Sequence, residues 1–451
     1  MRKVLIIAYY FPPMGGSGVQ RPFQMAKYLR EFGWEPVILT QAQGAYTHAD
    51  ESLLNEVEAL QIPVYRTESS GWTPQTLPFL KQGVQQPSTS GAIHLIRPGR
   101  FRSWLLSLFT RWFFIPDNKV PWISSAIQTA GEIIRNHKID LILSTAPPFS
   151  SFLAARTISQ THKIPLVLDF RDAWLENQYH RPPTLWHRNR MRHMEQEIVS
   201  AASAIIAINE RTANGLRNRI PERSSIRVDV IPNGYDPGKR TDSTPTSVGS
   251  SDSNLFSILH AGQLFSSSSH KRQPEIRLLF RALDHLFVSR PDLLHVVQLV
   301  FAGHPEPLIT RWVQAHSYSG TAPNIIQTGY LSHSAVLEQM LNANALLLTL
   351  SSAELFRGVT PGKMFEYFGT QKPIYALVPD GEASRYLTGY GGAVQEHTYS
   401  AQAIAHSLSL FIDKGRSGTL PDVNPHFAVQ FNRRNQAEQI AKMFDEVVSN
   451  P

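Results

Sequence analysis

The sequence predicts an α/β protein made of two Rossmann-like, doubly wound parallel-sheet domains. Short apolar runs rich in Ile, Val and Leu recur without polar alternation, the pattern of strands covered on both faces. Amphipathic helical segments lie between them, as βαβ units require. The alternation stops at a polar stretch, residues 236–254, and then restarts. With 451 residues, a division into two sizeable domains is also the natural one.

The first domain, residues 1–235, carries strands in KVLIIAYY (from Lys3), EPVILT (from Glu35), DLILSTA (from Asp140), PLVLDF (from Pro165), ASAIIAIN (from Ala202) and VDVIPNG (from Val228). An irregular insertion over about residues 69–116 interrupts it, rich in Pro, Gln and Ser and closing on the aromatic Phe101–Pro116. The linker, residues 236–254, reads DPGKRTDSTPTSVGSSDSN and has no apolar period. The second domain, residues 255–425, restarts with FSILHAGQL and continues through VVQLVFAGH, IIQTGYLS, ALLLTLS and PIYALVP. Residues 426–451 read as one C-terminal amphipathic helix.

Hydrophobic residues make up 42% and charged residues 18%, a globular balance, and the absence of cysteine removes thiolate chemistry and disulfides. The start, MRKVLIIAYYFPPMGG, ends in prolines and glycines rather than a small-residue cleavage site, so it reads as a buried strand and not a signal peptide. No apolar run reaches the ~18–20 residues that span a bilayer. The formal charge of +7 points to anionic partners. The positive residues are dispersed, without a basic stripe interleaved with aromatics, so nucleic acid is not among the expected partners. Phe101–Pro116, with Arg97, Arg100, Arg102 and Arg111 in or beside it, leaves two readings open: a segment lying in a membrane interface, or a core helix.

Five segments suit ligand chemistry. FPPMGGSGVQRP places Gly15, Gly16 and Gly18 where the first strand meets a helix, whose free N–H groups favour an anion. The third glycine of a dinucleotide fingerprint is missing, and the second strand ends in Leu39-Thr40 without an acid, which excludes NAD. Arg21, one turn on, either meets a phosphate or is solvated. LVLDFRDAW puts Asp169, Arg171 and Asp172 at the carboxyl end of a strand, where open α/β sheets bind ligands. IPNG reads as a turn. The loop after HAGQL offers Gly262, then Lys271 and Arg272 before a helix, suited to neutralising a diphosphate. RGVTPGKMFEYFG is the most informative. Its Pro-Gly turn opens a helix with Lys363 in the first turn, opposed to the helix dipole unless an anion shares the space. Glu366 follows on the same face and can accept both hydroxyls of a ribose.

In family order, FPPMGGSGVQRPFQMAKYL, DFRDAW, IPNG, AGQL, LVFAGHPE, GYLSHSAVLEQM and TPGKMFEYFGTQKPIYA resemble the family 4 retaining glycosyltransferases of the GT-B fold. The resemblance implies two Rossmann-like domains facing across a cleft, an acceptor site on the first and a donor nucleotide on the second, with the last helix crossing back to the first. It implies that Glu366 binds the ribose and that Thr360, Pro361, Gly362 and Lys363 bind the distal phosphate. Lys271 or Arg272 would neutralise the diphosphate, the backbone at Tyr330 and Leu331 would read the base, and Gly15 and Gly16 would let the donor phosphates approach. No metal or other cofactor is expected, since protein cations and helix dipoles stabilise the leaving group. The chain departs from the family pattern twice. The first glutamate of a pair eight positions apart is replaced by Gly358, with Glu354 further upstream, and Arg171-Asp172 stand where many members carry a histidine.

The expected activity is transfer of a sugar from a nucleoside-diphosphate sugar to a glycan or lipid-linked acceptor in envelope or exopolysaccharide assembly. The expected location is cytoplasmic, at the inner face of an anionic membrane, with Arg171, Asp172, Lys271 and Arg272 nearest the chemistry. A nucleotide-sugar 2-epimerase of the same fold and a non-catalytic nucleotide-binding relative are the alternatives.

Overall fold

The computed structural model describes residues 1–42, 50–68, 112–176, 182–221, 226–239, 255–262, 264, 274–317 and 324–449. Residues 69–111 of the expected insertion, residues 240–254 of the expected linker, and both Lys271 and Arg272 lie outside them. The chain forms two compact units: Met1–Pro232 joined by Gln436–Pro451, and Asn233–Asn435. The boundary falls at Asn233 instead of after residue 235. Tyr235 is buried in the second unit, exchanging backbone hydrogen bonds with Phe431 and Arg433.

The first unit is a seven-stranded parallel sheet in the order β3-β2-β1-β4-β5-β6-β7. The strands are β1 (Arg2–Ile7), β2 (Trp34–Gln41), β3 (Val64–Thr67), β4 (Leu141–Ala146), β5 (Leu166–Phe170), β6 (Ala204–Ala207) and β7 (Arg227–Val230). Its helices are α1 (Ser17–Leu29), α2 (Glu51–Ala59), α3 (Ile123–Asn136), α4 (Ser150–His162), α5 (Leu185–Ser200) and α6 (Glu210–Arg217). Alternate residues of the strands serve opposite layers. Leu5, Ile7, Ile142 and Leu168 pack with α3 and α4. Val4, Ile6, Leu143 and Val167 pack with α1 and α2.

The second unit is a six-stranded parallel sheet in the order β10-β9-β8-β11-β12-β13. Its strands are β8 (Phe256–Ala261), β9 (Val297–Ala302), β10 (Asn324–Gly329), β11 (Ala345–Thr349), β12 (Ile374–Leu377) and β13 (Ala393–Glu396). Helices α7 (Pro274–Ser289), α8 (Pro307–Ser317), α9 (His333–Asn342), α10 (Gly362–Thr370), α11 (Glu382–Tyr390), α12 (Ala401–Ser417) and α13 (Pro425–Val429) cover it. Every apolar run named from the sequence is a strand. The two additional strands, β3 and β13, are four-residue edges, half-buried throughout.

The expected single terminal helix is two. Helix α13 ends at Val429, and α14 (Arg433–Ser449) starts after Asn432. Phe427 and Phe431 belong to the second unit's core, whereas Ile440, Met443 and Phe444 complete the first unit's core, with the Phe444 ring set edge-on to Trp34 at 5.2 Å. The chain leaves the helical conformation at Gln430–Asn432, between the residues that serve the two cores.

Candidate functional site

In the second unit the sheet reverses its winding between β8 and β11, so the loops leaving their carboxyl ends diverge and open a crevice. Four loops meet there. After β8, Gly262 takes φ +81, a left-handed conformation, and its carbonyl lies where any β-carbon on Gly303, just past β9, would come within 2.7 Å. After β10, Gly329 takes φ +78 and leads into Tyr330, whose exposed ring stacks on His304 at 5.5 Å. Leu331 is half-buried beside it, and Ser332 caps α9 by accepting from the Ala335 N–H. After β11, Thr360 is buried and Pro361, which has no side-chain oxygen, occupies the N-cap of α10.

Helix α10 turns Met364, Phe365, Tyr367 and Phe368 inward, which leaves Lys363 and Glu366 on the half-buried face. The buried His260 sits at the carboxyl end of β8. Its Nδ1–H donates to the Leu347 carbonyl at 2.9 Å, so Nε2 is an acceptor, and the Lys363 ammonium donates to it at 3.2 Å. Lys363 also lies over Gly262, where a β-carbon would be 3.5 Å from Nζ. Burial pulls the Lys363 ammonium down to about 8, against the opposing pull of Glu366. Such a cation, short of its full solvation and in the first turn of an uncapped helix, is a receptor for an anion.

Glu366 Oε1 lies 3.1 Å from His333 Nε2. Burial pushes this carboxyl up, but His333, Arg433 and Lys363 outweigh that and hold it below the usual glutamate range, so it is ionised. No donor among the described residues reaches its other oxygen, which is free to accept hydroxyls. Through His333, three residues beyond Tyr330, the α10 carboxylate is tied to the loop after β10. The structure therefore brings Gly262, Tyr330, Leu331, Thr360, Pro361, Gly362, Lys363 and Glu366 into one crevice. His260 and His333 are its unforeseen members. The signal for His260 was a titratable residue one position before the end of the strand FSILHA; for His333 it was its place at the start of a serine-capped helix. Glu354 is not part of the crevice set: it is exposed and pairs with Arg357 at 3.1 Å.

On the first unit, the reversal lies between β1 and β4. Gly15 is half-buried and Gly16, exposed at φ +101, caps α1. Arg171 is half-buried and donates to the carbonyls of Gly18 and Pro147, so it ties together the loops on either side of the reversal. Asp172 beside it is exposed. Arg21 neither awaits a phosphate nor faces solvent: its guanidinium grips Asp169 at 2.8–3.1 Å and donates to the carbonyls of Ile231 and Pro232 at 2.9 and 2.6 Å. Thr145 completes the carboxylate's shell at 2.7 Å. Asp169 and the IPNG turn are thus scaffold, locking α1 to the ends of β5 and β7.

Residues 16–234 match the family model described as glycosyl transferase 4-like domain. No curated protein sequence is significantly similar to this one. Among solved structures, Anabaena HepE in complex with UDP and glucose is 16% identical with a TM-score of 0.62, covering 99% of this chain and all of that one. Sucrose-phosphate synthase from Thermosynechococcus elongatus is 12% identical with a TM-score of 0.60 and full coverage of both chains. The α,α-trehalose 6-phosphate synthase of Burkholderia multivorans is 11% identical with a TM-score of 0.59 and 99% coverage of each.

Proposed function

We propose that this chain, whose residues 16–234 match the glycosyl transferase 4-like domain and whose two-sheet fold is shared with solved GT-B glycosyltransferases, moves a sugar, with retention of configuration, from a nucleoside-diphosphate sugar to a glycan or lipid-linked acceptor. The observation that carries this reading is the α10 arrangement: a desolvated Lys363 held by His260 at an uncapped helix start, with ionised Glu366 one turn on. The first binds a diphosphate and the second a ribose diol. Tyr330 and Leu331, a few residues before the His333 that holds the carboxylate, would read the base. The leaving diphosphate is stabilised by Lys363, the helix dipole and the expected cations Lys271 and Arg272, and needs no metal or other cofactor. Gly16, bare and left-handed, leaves room for the donor phosphates at the first domain's own loop. Arg171 ties that loop to the one after β4, and the exposed Asp172 follows it in the chain. The proposed pathway is envelope or exopolysaccharide assembly at the inner face of the plasma membrane. Among the described residues no helix is long and apolar enough to cross a membrane.

A thermal-shift screen of UDP-, GDP- and ADP-sugars tests donor binding. A true donor at 100 times its Kd stabilises the second domain by about 2.7 kcal/mol. Nucleotide release is then expected only with an acceptor present. Conversion of the donor without acceptor identifies an epimerase instead, and binding without any turnover identifies a non-catalytic relative.

The pH dependence of donor affinity follows from Lys363. Its folded-state value lies near 8 and the ammonium is the form that binds phosphate, so affinity is full below about 8 and falls by about tenfold per pH unit above it. The fall ends at the higher value the lysine takes in the complex. Calorimetric titration of UDP between neutral pH and pH 10 reads this directly. In Lys363→Arg, which keeps its charge, the slope is expected to vanish. A wild-type affinity flat across that range removes Lys363 from the phosphate site.

A further inference from the structure

A surface of the first unit, remote in sequence from the glycine loop, combines exposed aromatics with unpaired cations. Trp112, Phe113, Leu185 and Trp186 are 49%, 71%, 75% and 65% exposed, although residues of this size are ordinarily covered. They are held as one patch. The buried His187 contacts the Trp112 and Trp186 rings edge-on at 5.3 and 4.9 Å, and its two ring nitrogens bond the Trp112 carbonyl at 3.1 Å and Thr184 Oγ1 at 2.7 Å. Thr184 caps α5, so the patch sits on the start of a fixed helix.

Helix α5 then presents Arg188, Arg190, Arg192 and His193 to solvent, with no acid before Glu195, which is buried. None of the three arginines forms an ion pair with any acid among the described residues. Arg188 lies in the first turn, where the helix dipole favours an anion. Met191, Met194, Ile198 and Val199 on the opposite face anchor the helix in its own domain.

We propose that this surface docks the protein on an anionic lipid bilayer, with the four apolar side chains in the interfacial layer and Arg188, Arg190 and Arg192 on the headgroups. Tryptophan rings favour the interface because one edge is apolar and the other donates a hydrogen bond. The cations beside them select an anionic surface over both a neutral membrane and an apolar protein groove. The aromatic Phe101–Pro116 segment contributes its end, Trp112 and Phe113, while the rest of the face comes from α5. The proposal rests on the lipid-linked acceptor reading only for its purpose; vesicle binding needs neither donor nor turnover, so either can fail without the other.

The experiment is flotation of the full chain with phosphatidylcholine vesicles, with and without phosphatidylglycerol. Binding is expected only to the anionic vesicles and to weaken with salt. Each arginine contributes about fivefold, so the triple reversal Arg188→Glu, Arg190→Glu, Arg192→Glu is expected to lose at least about a hundredfold. Leu185→Ser with Trp186→Ser is expected to lose about tenfold while keeping the three charges. Both variants alter exposed side chains, and an unchanged melting temperature and UDP affinity certify that they are folded. Wild-type flotation by either folded variant overturns the proposal. So does equal binding to neutral vesicles, binding to neither kind, or self-association through these residues in place of vesicle binding.

Discussion

Replacing Glu366 with alanine is expected to lower kcat/KM for the donor by about 10²–10³-fold, the cost of leaving a buried, hydrogen-bonding site without its acceptor. Glu366 is ionised, held through one oxygen by His333, and open at the other. It is therefore set to receive a diol before any bond breaks, and the loss is expected mainly in KM, with kcat changing less. Glu366→Gln keeps the shape but loses the charge and one acceptor, and falls between. His333→Ala leaves the carboxylate present but unheld, with an expected loss of about tenfold, the value of one charge-assisted hydrogen bond. Because the two residues act through one contact, the double variant is expected to be little worse than Glu366→Ala alone. Additive losses would mean that His333 touches the donor itself. An unchanged KM in Glu366→Ala would remove the ribose role altogether.

The second large effect is on stability. Asp169→Ala strands the Arg21 guanidinium, only 6% exposed, with two carbonyls and no counter-charge. Removing one partner of a buried pair costs about 3–5 kcal/mol. For a domain of this size that is a fall of about 6–20 °C in its calorimetric transition. The second domain's transition is expected to stay where it is. Arg21→Met with Asp169→Leu is expected to recover part of the loss, because an apolar pair leaves no buried charge. A first-domain transition within 2 °C of wild type in Asp169→Ala, about the effect of a single kcal/mol, would show that water or neighbouring groups replace the carboxylate.

These two predictions also mark what sequence reading reaches and what it misses. The parallel strands were legible because a strand covered on both faces is apolar at nearly every position, as in VLII and in the LVL that opens β5. Edge strands escape that rule. VYRT and AVQE are four residues long, half-buried and half polar, so nothing distinguishes them from loop. The α10 motif was legible because Pro, Gly, Lys and Glu each carry a local constraint at fixed spacing within one turn. Arg21 and Asp169 were misread because their partnership spans 148 residues, and the same chemistry that suits an anion site also suits a buried ion pair. His260 depends in the same way on Leu347, 87 residues on. The tyrosine hydroxyl of Tyr367, which accepts from the Ala261 N–H at 2.9 Å, is another such long-range tie, fixing the end of β8 under the lysine.

The return of α14 to the first unit has a bearing on biosynthesis. The layer containing Val4, Ile6 and Trp34 is closed by Ile440, Ala441, Met443 and Phe444. A ribosome that has released residues 1–232 has therefore delivered a domain with an uncovered apolar flank, and it must complete the whole of Asn233–Asn435 before the cover arrives. The domain translated first is the one finished last. In the interval its open flank is the part of the nascent chain most in need of shielding from other molecules.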